Sequence, residues 1–322
     1  MSEWRPSATI ENLRHRAQLF NHIREFFKQL DVLEVDTPVM SQCAVSDPFI
    51  DSFELNYCPV VGITEQTHYL QTSPEYAMKR LLAAGSGAIY QMSKVFRNGE
   101  YGSRHNPEFT MLEWYQPGYD DHQLMDEVEA LVLPILGLNS IERITYSDLF
   151  MRYLGFRPEQ VGVDRLVAET KKHVDITLQD DDPDTWLNLL ISHVIEPQLK
   201  TVAAIFVTEY PASQAALAKV RKNSVGEWVA ARFELFVNGV ELANGYHELT
   251  DPQEQQKRLQ IDQTHRERLQ LPQRPLDYRL VEALEAGLPD CAGVALGVDR
   301  LLMLALNADS IAEVIPFDYS KA

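Results

Sequence analysis

Cysteine is scarce in this 322-residue chain, and the three it has stand far apart. Cys43, Cys58 and Cys291 form neither a disulfide framework nor a paired-cysteine metal motif. That usage suits a reducing compartment, and the cytoplasm is the expected location. Long apolar runs are missing too, since no window approaches the ~18–20 apolar residues that a membrane-spanning helix needs. The amino terminus, MSEWRPSATIENLRHR, is charged and lacks an apolar centre, so no signal peptide is expected. Positive charge is in short supply, with 29 Lys and Arg against 47 Asp and Glu and a net charge of −18. Nucleic acid is normally gripped through its phosphates by a basic footprint, so a small molecule or a protein is favoured as partner over tRNA. Internal repeats and low-complexity stretches are absent as well. What remains is 45% hydrophobic, enough to bury a large core in one big domain or two modest ones.

The chemistry concentrates in Ser93–Gln116, SKVFRNGEYGSRHNPEFTMLEWYQ. An apolar strand ends at Val95-Phe96, and a polar loop carries Arg97, Asn98, Glu100, Arg104, His105 and Asn106. An extended run then returns over Glu108–Tyr115, where Glu113 and Tyr115 alternate with Leu112 and Trp114. This pattern predicts a hairpin with charged groups over one sheet face. A guanidinium there suits a polyphosphate, because arginine offers a planar fork of donors.

Upstream, Leu19, Phe20, Ile23, Phe26, Phe27 and Leu30 make a helical apolar stripe, and an extended run Val32–Thr37 meets Pro38. Thr72-Ser73-Pro74-Glu75 opens a helix reaching about Leu82, before Gly85. From Asp120 to Ala218 the pattern reads as helices joined by loops, and Asp175–Thr185 as a solvated acidic turn. In Phe233–Leu249, FELFVNGVELANGYHEL, the pair Asn238-Gly239 predicts a two-residue type I′ turn. That turn pairs Val237 with Val240, Phe236 with Glu241, Leu235 with Leu242, and Glu234 with Ala243. Glu234 and Glu241 then become diagonal neighbours on one face. Such a pair is either a wet strand face or a clasp for a divalent ion that also touches phosphate. Asn244 and Glu248, with Glu113 and Tyr115, predict an acidic pocket for a substrate with two ammonium groups.

FRN…RHNPEFTMLEWY closely resembles motif two of the class II aminoacyl-tRNA synthetases, in the lysyl form. The helix, strand and proline near the amino terminus are laid out like motif one, and Gly293–Leu304, GVALGVDRLLML, is similar to motif three. The resemblance implies an α+β fold with a mostly antiparallel sheet flanked by helices. It implies a single catalytic domain over 1–322, with motif one at about 20–40, motif two at about 93–116, a helical insertion at about 120–218 and motif three at about 291–305. In that family motif one builds a dimer interface, so a homodimer is implied. ATP and Mg²⁺ are the implied cofactors. Arg97 and Arg300 would be the catalytic arginines, and Asn98, Gly99, His105, Asn106, Glu241, Leu242 and Gly297 would also meet ATP. Ser73, Pro74, Glu75, Glu113, Tyr115, Asn244, Glu248 and Ala295 would line the amino-acid pocket, and Glu234 and Glu241 would hold the metal.

Motif one begins too early for the anticodon-binding OB domain of lysyl-tRNA synthetases, so none is expected. A core without that domain resembles the elongation factor P β-lysine ligases, paralogues that activate (R)-β-lysine and attach it to a lysine of elongation factor P. Two departures from the lysyl-tRNA synthetase pattern stand out. Ala295 replaces a usual glycine beside the amino-acid site, where its methyl would favour an amino group moved to the β-carbon. Gly99 replaces the usual glutamate of Arg-x-Glu, in Arg97-Asn98-Gly99-Glu100, and Glu100 substitutes if the loop shifts by one residue. Two other readings stay open: an adenylate-forming enzyme acting on tRNA or another acceptor, and a non-catalytic regulator that binds nucleotide or lysine.

Overall fold

The α+β fold follows, in a computed structural model that describes residues 4–60, 62 and 64–322. The first three residues of the charged amino-terminal stretch lie outside these. Up to the loop after motif two, the elements are α1 (Ile10–Gln29), β1 (Leu33–Glu34), β2 (Met40–Ser41), β3 (Glu54–Tyr57), β4 (Gln66–Leu70), α2 (Glu75–Ala83), β5 (Ile89–Phe96) and β6 (Glu108–Pro117). Then come α3 (Asp121–Leu136), β7 (Glu142–Thr145), α4 (Tyr146–Leu154), α5 (Val163–His173), α6 (Pro183–Leu190), α7 (Glu196–Leu199), β8 (Ala204–Pro211), β9 (Val220–Lys222), β10 (Trp228–Val237) and β11 (Val240–His247). The chain closes with α8 (Pro252–Arg268), α9 (Tyr278–Gly287), β12 (Cys291–Gly297) and α10 (Val298–Ala305). Two compact units result, 1–119 with 249–322, and 120–248.

In the first unit β5 and β6 form the predicted antiparallel hairpin, with Phe96 opposite Glu108. β12 runs antiparallel along β6, and β1 runs parallel to β5. The extended run at Val32–Thr37 contracts to the two residues of β1, while β2, β4 and β3 make a separate antiparallel sheet. Thr9 caps α1 by accepting the Asn12 N–H, and α1 buries Leu19, Ile23 and Phe27. Phe27 stacks on Tyr90 at 4.3 Å and meets Trp114 edge-on at 5.4 Å. Burying each such side chain contributes roughly 1.5–3 kcal/mol. A buried charge cluster ties this helix to the motif-two strand and the motif-three helix. Arg16 donates to Asp299 Oδ1 at 2.5 Å and to Thr110 Oγ1 at 2.7 Å, and Asp299 Oδ2 accepts the Thr110 N–H at 2.8 Å. Both faces of β6 are covered, so Glu113 and Tyr115 are as buried as Leu112 and Trp114.

In the second unit β10 pairs antiparallel with β8, β9 and β11, and β7 lies parallel to β8. Strands β7 and β8 are an addition to the helices expected between 120 and 218. Phe150, Trp186, Leu190, Ile205, Val207 and Phe236 belong to its core. The acidic turn before α6 is largely exposed, as expected, and also caps that helix: Asp182 accepts the Asp184 N–H, and Asp180 accepts the Thr185 hydroxyl.

The Asn238-Gly239 turn forms with φ of +49° and +69°, the left-handed pair that type I′ requires. The register beyond it departs from expectation. Val237 and Phe236 face Val240 and Glu241 as predicted, but Leu235 faces Ala243 and Glu234 faces Asn244, because β11 bulges at this point. Packing supplies the reason. The bulge sets Gly245 opposite Phe233, where an added Cβ would lie 2.3 Å from the phenyl ring. An unbulged ladder would put the side chain of Asn244 there instead.

Candidate active site

The loop between β5 and β6 presents Arg97 over the ring of Phe109, with the guanidinium carbon 5.2 Å from the ring centre. Its backbone is fixed by an N–H donated to Pro107 O at 2.9 Å. The guanidinium lies 3.7 Å from Glu100, so Glu100 does reach the arginine. Its Nε is buried with no hydrogen-bond partner among the described residues. A buried donor left in that state costs about 1–3 kcal/mol, which an anionic ligand would recover. Gly99 sits at φ +82°, in the region that a Cβ disfavours. Glycine is therefore what the loop's backbone asks for here, and a glutamate would be strained.

Arg300, from the first turn of α10, comes to the same loop. Its Nε donates to Arg104 O at 3.2 Å, and its Nη2 lies 2.7 Å from His105 Nε2. Arginine has only donors, so His105 Nε2 must accept and its proton resides on Nδ1. Gly297 precedes this helix, and a Cβ there would meet the Arg300 side chain at 3.6 Å, an ordinary contact. Asn106 is buried and bonded at both ends of its amide, donating to Glu108 O at 2.6 Å and accepting the Tyr319 N–H at 2.9 Å. Its amide thus shapes the loop.

In the first unit the hydroxyls of Tyr115 and Ser73 converge on Glu113. Tyr115 donates to its Oε1 at 2.6 Å and Ser73 to its Oε2 at 2.8 Å. Ser73 also accepts the Glu75 N–H at 3.0 Å, while the cap position of α2 falls to Pro74, without a side-chain hydrogen bond. Glu75 pairs with Lys79, one turn further along α2, at 2.6 Å. Burial, reinforced by the Glu75 charge, pushes the Glu113 carboxyl up to about 7 against the pull of Tyr115 and Ser73. Ala295 stands directly opposite Glu113 across β12 and β6, placing its methyl beside that carboxyl. Lys79 is fully buried and was not among the predicted residues. Its signal was legible, since Glu-x-x-x-Lys on a helix brings the two charges together.

In the second unit Glu234 is occupied by its neighbours. Tyr210 donates to its Oε2 at 2.6 Å, Arg232 to its Oε1, and Asn244 Nδ2 lies at 3.5 Å. The carboxylate of Glu234 raises the Arg232 pKa against burial, while burial and the Glu241 charge push the Glu234 carboxyl up against the pull of Arg232 and Tyr210. Ligating carboxylates are commonly hydrogen-bonded by neighbours in this way. Glu241 bears on Glu234 electrostatically, as the shared face predicted. Among the described residues no group of three or more His, Cys, Asp or Glu side chains is arranged to hold a metal ion. Leu242 is buried at the bulge. The Asn244 Oδ1 is buried with no hydrogen-bond partner among the described residues, and Glu248 is almost fully buried. No local pattern links Tyr210 on β8 to β10, whereas Arg232 stands two residues before Glu234 on the same strand, a spacing that puts both on one face.

With this geometry in hand, the likeness to known proteins is informative. Residues 2–321 match the family described as tRNA synthetases class II (D, K and N). A Vibrio cholerae protein named elongation factor P--(R)-beta-lysine ligase is 49% identical over 100% of this chain and 99% of its own length. Proteins of the same name from Mannheimia succiniciproducens and Haemophilus influenzae are 48% and 46% identical, over at least 98% of their lengths. The chain belongs to the class II tRNA synthetase family of the D, K and N type.

Proposed function

We propose that this protein is an ATP-dependent ligase that activates (R)-β-lysine as an adenylate and transfers it to a lysine side chain of elongation factor P. The observation that carries this is the 46–49% identity, along essentially the whole chain, to proteins bearing that name. The geometry supports it. Arg97 offers an unpaired buried donor to a phosphate, and the Arg300–His105 pair stands at the same loop for the purine or the γ-phosphate. Ser73, Pro74, Glu75, Glu113 and Tyr115 shape a carboxylate site for an ammonium group. Asn244 and Glu248 are the second unit's substrate residues.

In the first step the β-lysine carboxylate attacks the α-phosphorus of ATP, and pyrophosphate leaves. Arg97 stabilises the charge gathering on the α-phosphate oxygens, so catalysis is positioning plus electrostatics. In the second step the deprotonated ε-amine of the acceptor lysine attacks the adenylate carbonyl, an amide forms, and AMP leaves. Mg²⁺ is expected to accompany ATP and offset phosphate charge. Glu234 and Glu241 are the carboxylates that would hold it, and no step is assigned to it. Exposed Leu30, Leu33, Val39 and Met40 in and around motif one give a second copy an apolar surface to cover, in support of a homodimer. Among the described residues no helix is long and apolar enough to cross a membrane, in keeping with a cytoplasmic enzyme.

The test supplies Mg-ATP and labelled (R)-β-lysine with either elongation factor P or total tRNA. Label on elongation factor P alone is the expected result. Label on tRNA would replace this reading with a charging enzyme, and no label with no pyrophosphate exchange would replace it with a regulator. Ala295→Gly is expected to raise activity with α-lysine relative to β-lysine, checked by pyrophosphate exchange with each amino acid.

A further inference from the structure

Two buried guanidiniums outside the proposed chemistry lead into the Arg97 loop. Between β2 and β3 the chain has no helix or strand over residues 42–53, so its own backbone ladder does not fix its position. Asp51 in this segment holds Asn98 twice: its carbonyl accepts the Asn98 N–H at 2.9 Å, and its Oδ2 accepts the Asn98 side-chain amide at 2.9 Å. Its Oδ1 accepts from Arg274 at 2.7 Å and lies 3.5 Å from Arg266. Both guanidiniums are buried, with side chains 4% and 1% exposed.

Each arginine also clamps the segment elsewhere. Arg274 reaches Glu54 on β3, and Arg266 donates to Asp47 O at 3.0 Å and to Pro272 O at 2.8 Å. Burial alone would raise the Asp51 carboxyl, but hydrogen bonds from Arg274 and Asn98 hold it below the usual range. The carboxylate thus stays charged, and charge-assisted bonds are roughly twice as strong as neutral ones. One residue beyond Asn98 the chain turns at Gly99, so the clamp acts where the backbone is least self-supporting.

We propose that Arg266, Arg274 and Asp51 are positioning residues that act through Asn98 to hold the loop carrying Arg97 in its nucleotide-binding shape. The nucleotide half of this proposal rests on the function proposed above; the anchoring half does not. The test begins with hydrogen exchange on the ligand-free protein, comparing wild type with Asp51→Asn and Arg274→Gln. Amides of residues 97–106 should exchange about tenfold faster in both variants, as expected when a local opening becomes easier. Unchanged exchange in that loop overturns the proposal.

Lysine-dependent ATP–pyrophosphate exchange then reads the consequence. The KM for ATP should rise about tenfold while that for the amino acid stays within about twofold, a split that general destabilisation does not produce. Adding Arg274→Gln to Asp51→Asn should cause little further rise, because both act on one link. Equal rises in both KM values, or fully additive effects, overturn it. If Arg274→Gln does not fold, Asp51→Asn carries the test alone, since it leaves both arginines their other acceptors. A wild type without pyrophosphate exchange would refute the proposed function, and the hydrogen-exchange result would still decide the anchoring.

Discussion

Gly99 takes its meaning from its backbone conformation. From the sequence it looked like a lost carboxylate, and the obvious repair was to restore it. At φ +82° the repair is costly, although nothing lies within 4 Å of an added Cβ. Gly99→Glu is expected to lower stability by about 1–2 kcal/mol, the usual penalty for a left-handed non-glycine residue, and to leave the KM for ATP no better. Thermal melting and pyrophosphate exchange check the two halves. Glu113 makes a pH prediction. A carboxyl raised by folding binds its proton more tightly in the folded state, so its contribution is complete below the ordinary carboxyl range near 4.5 and lost as pH rises to about 7. Relative to Glu113→Gln, the wild type should therefore lose roughly 3 kcal/mol between pH 4.5 and pH 8, at ~1.4 kcal/mol per pH unit. Denaturant titrations at the two pH values measure it. Glu113, Tyr115 and Ser73 were legible as a group because they sit inside recognisable runs, and they meet in one hydrogen-bonded cluster. Lys79 could have been read from its place one turn beyond Glu75, whereas the importance of Asp51 comes from what it touches across the fold.

Among the elements, the β10–β11 hairpin shows where pattern stops being sufficient. Asn-Gly dictated the turn, and the turn dictated the first two cross-strand pairs. The bulge followed from the ring of Phe233 needing a residue without a side chain opposite it, a demand made by the packed pair and invisible along either strand. Gly245→Ala should destabilise the protein by about 1–3 kcal/mol, the range for overpacking a filled core, and denaturant midpoints would show it. A variant as stable as wild type would mean that the ring moves aside freely. The bulge matters for the site because it exchanges Ala243 for Asn244 beside Glu234. Strand β8 escaped notice for a different reason. Its run AIFVTEYP lies inside a segment dominated by helical patterns, although Ile205, Phe206 and Val207 are typical of a buried strand.

For the whole molecule, the order of the three motifs was the most legible feature, and the buried Arg16–Asp299–Thr110 cluster is the physical bond among them. Removing one partner of a buried ion pair costs about 3–5 kcal/mol, so Asp299→Ala should lower stability by that amount. It should also disturb Arg300, its neighbour in sequence, and raise the KM for ATP. A melting curve and an ATP titration check this, and a variant of normal stability would show that Arg16 finds another acceptor. The acidic balance of the chain has a local counterpart in Glu113. On the function proposed above, a carboxyl whose proton is half dissociated near pH 7 would let an arriving ammonium displace that proton and take its place. Binding then becomes an ion exchange: the pocket's charge hardly changes, acid competes with substrate, and each amino acid captured at pH 6 delivers about one proton to the buffer.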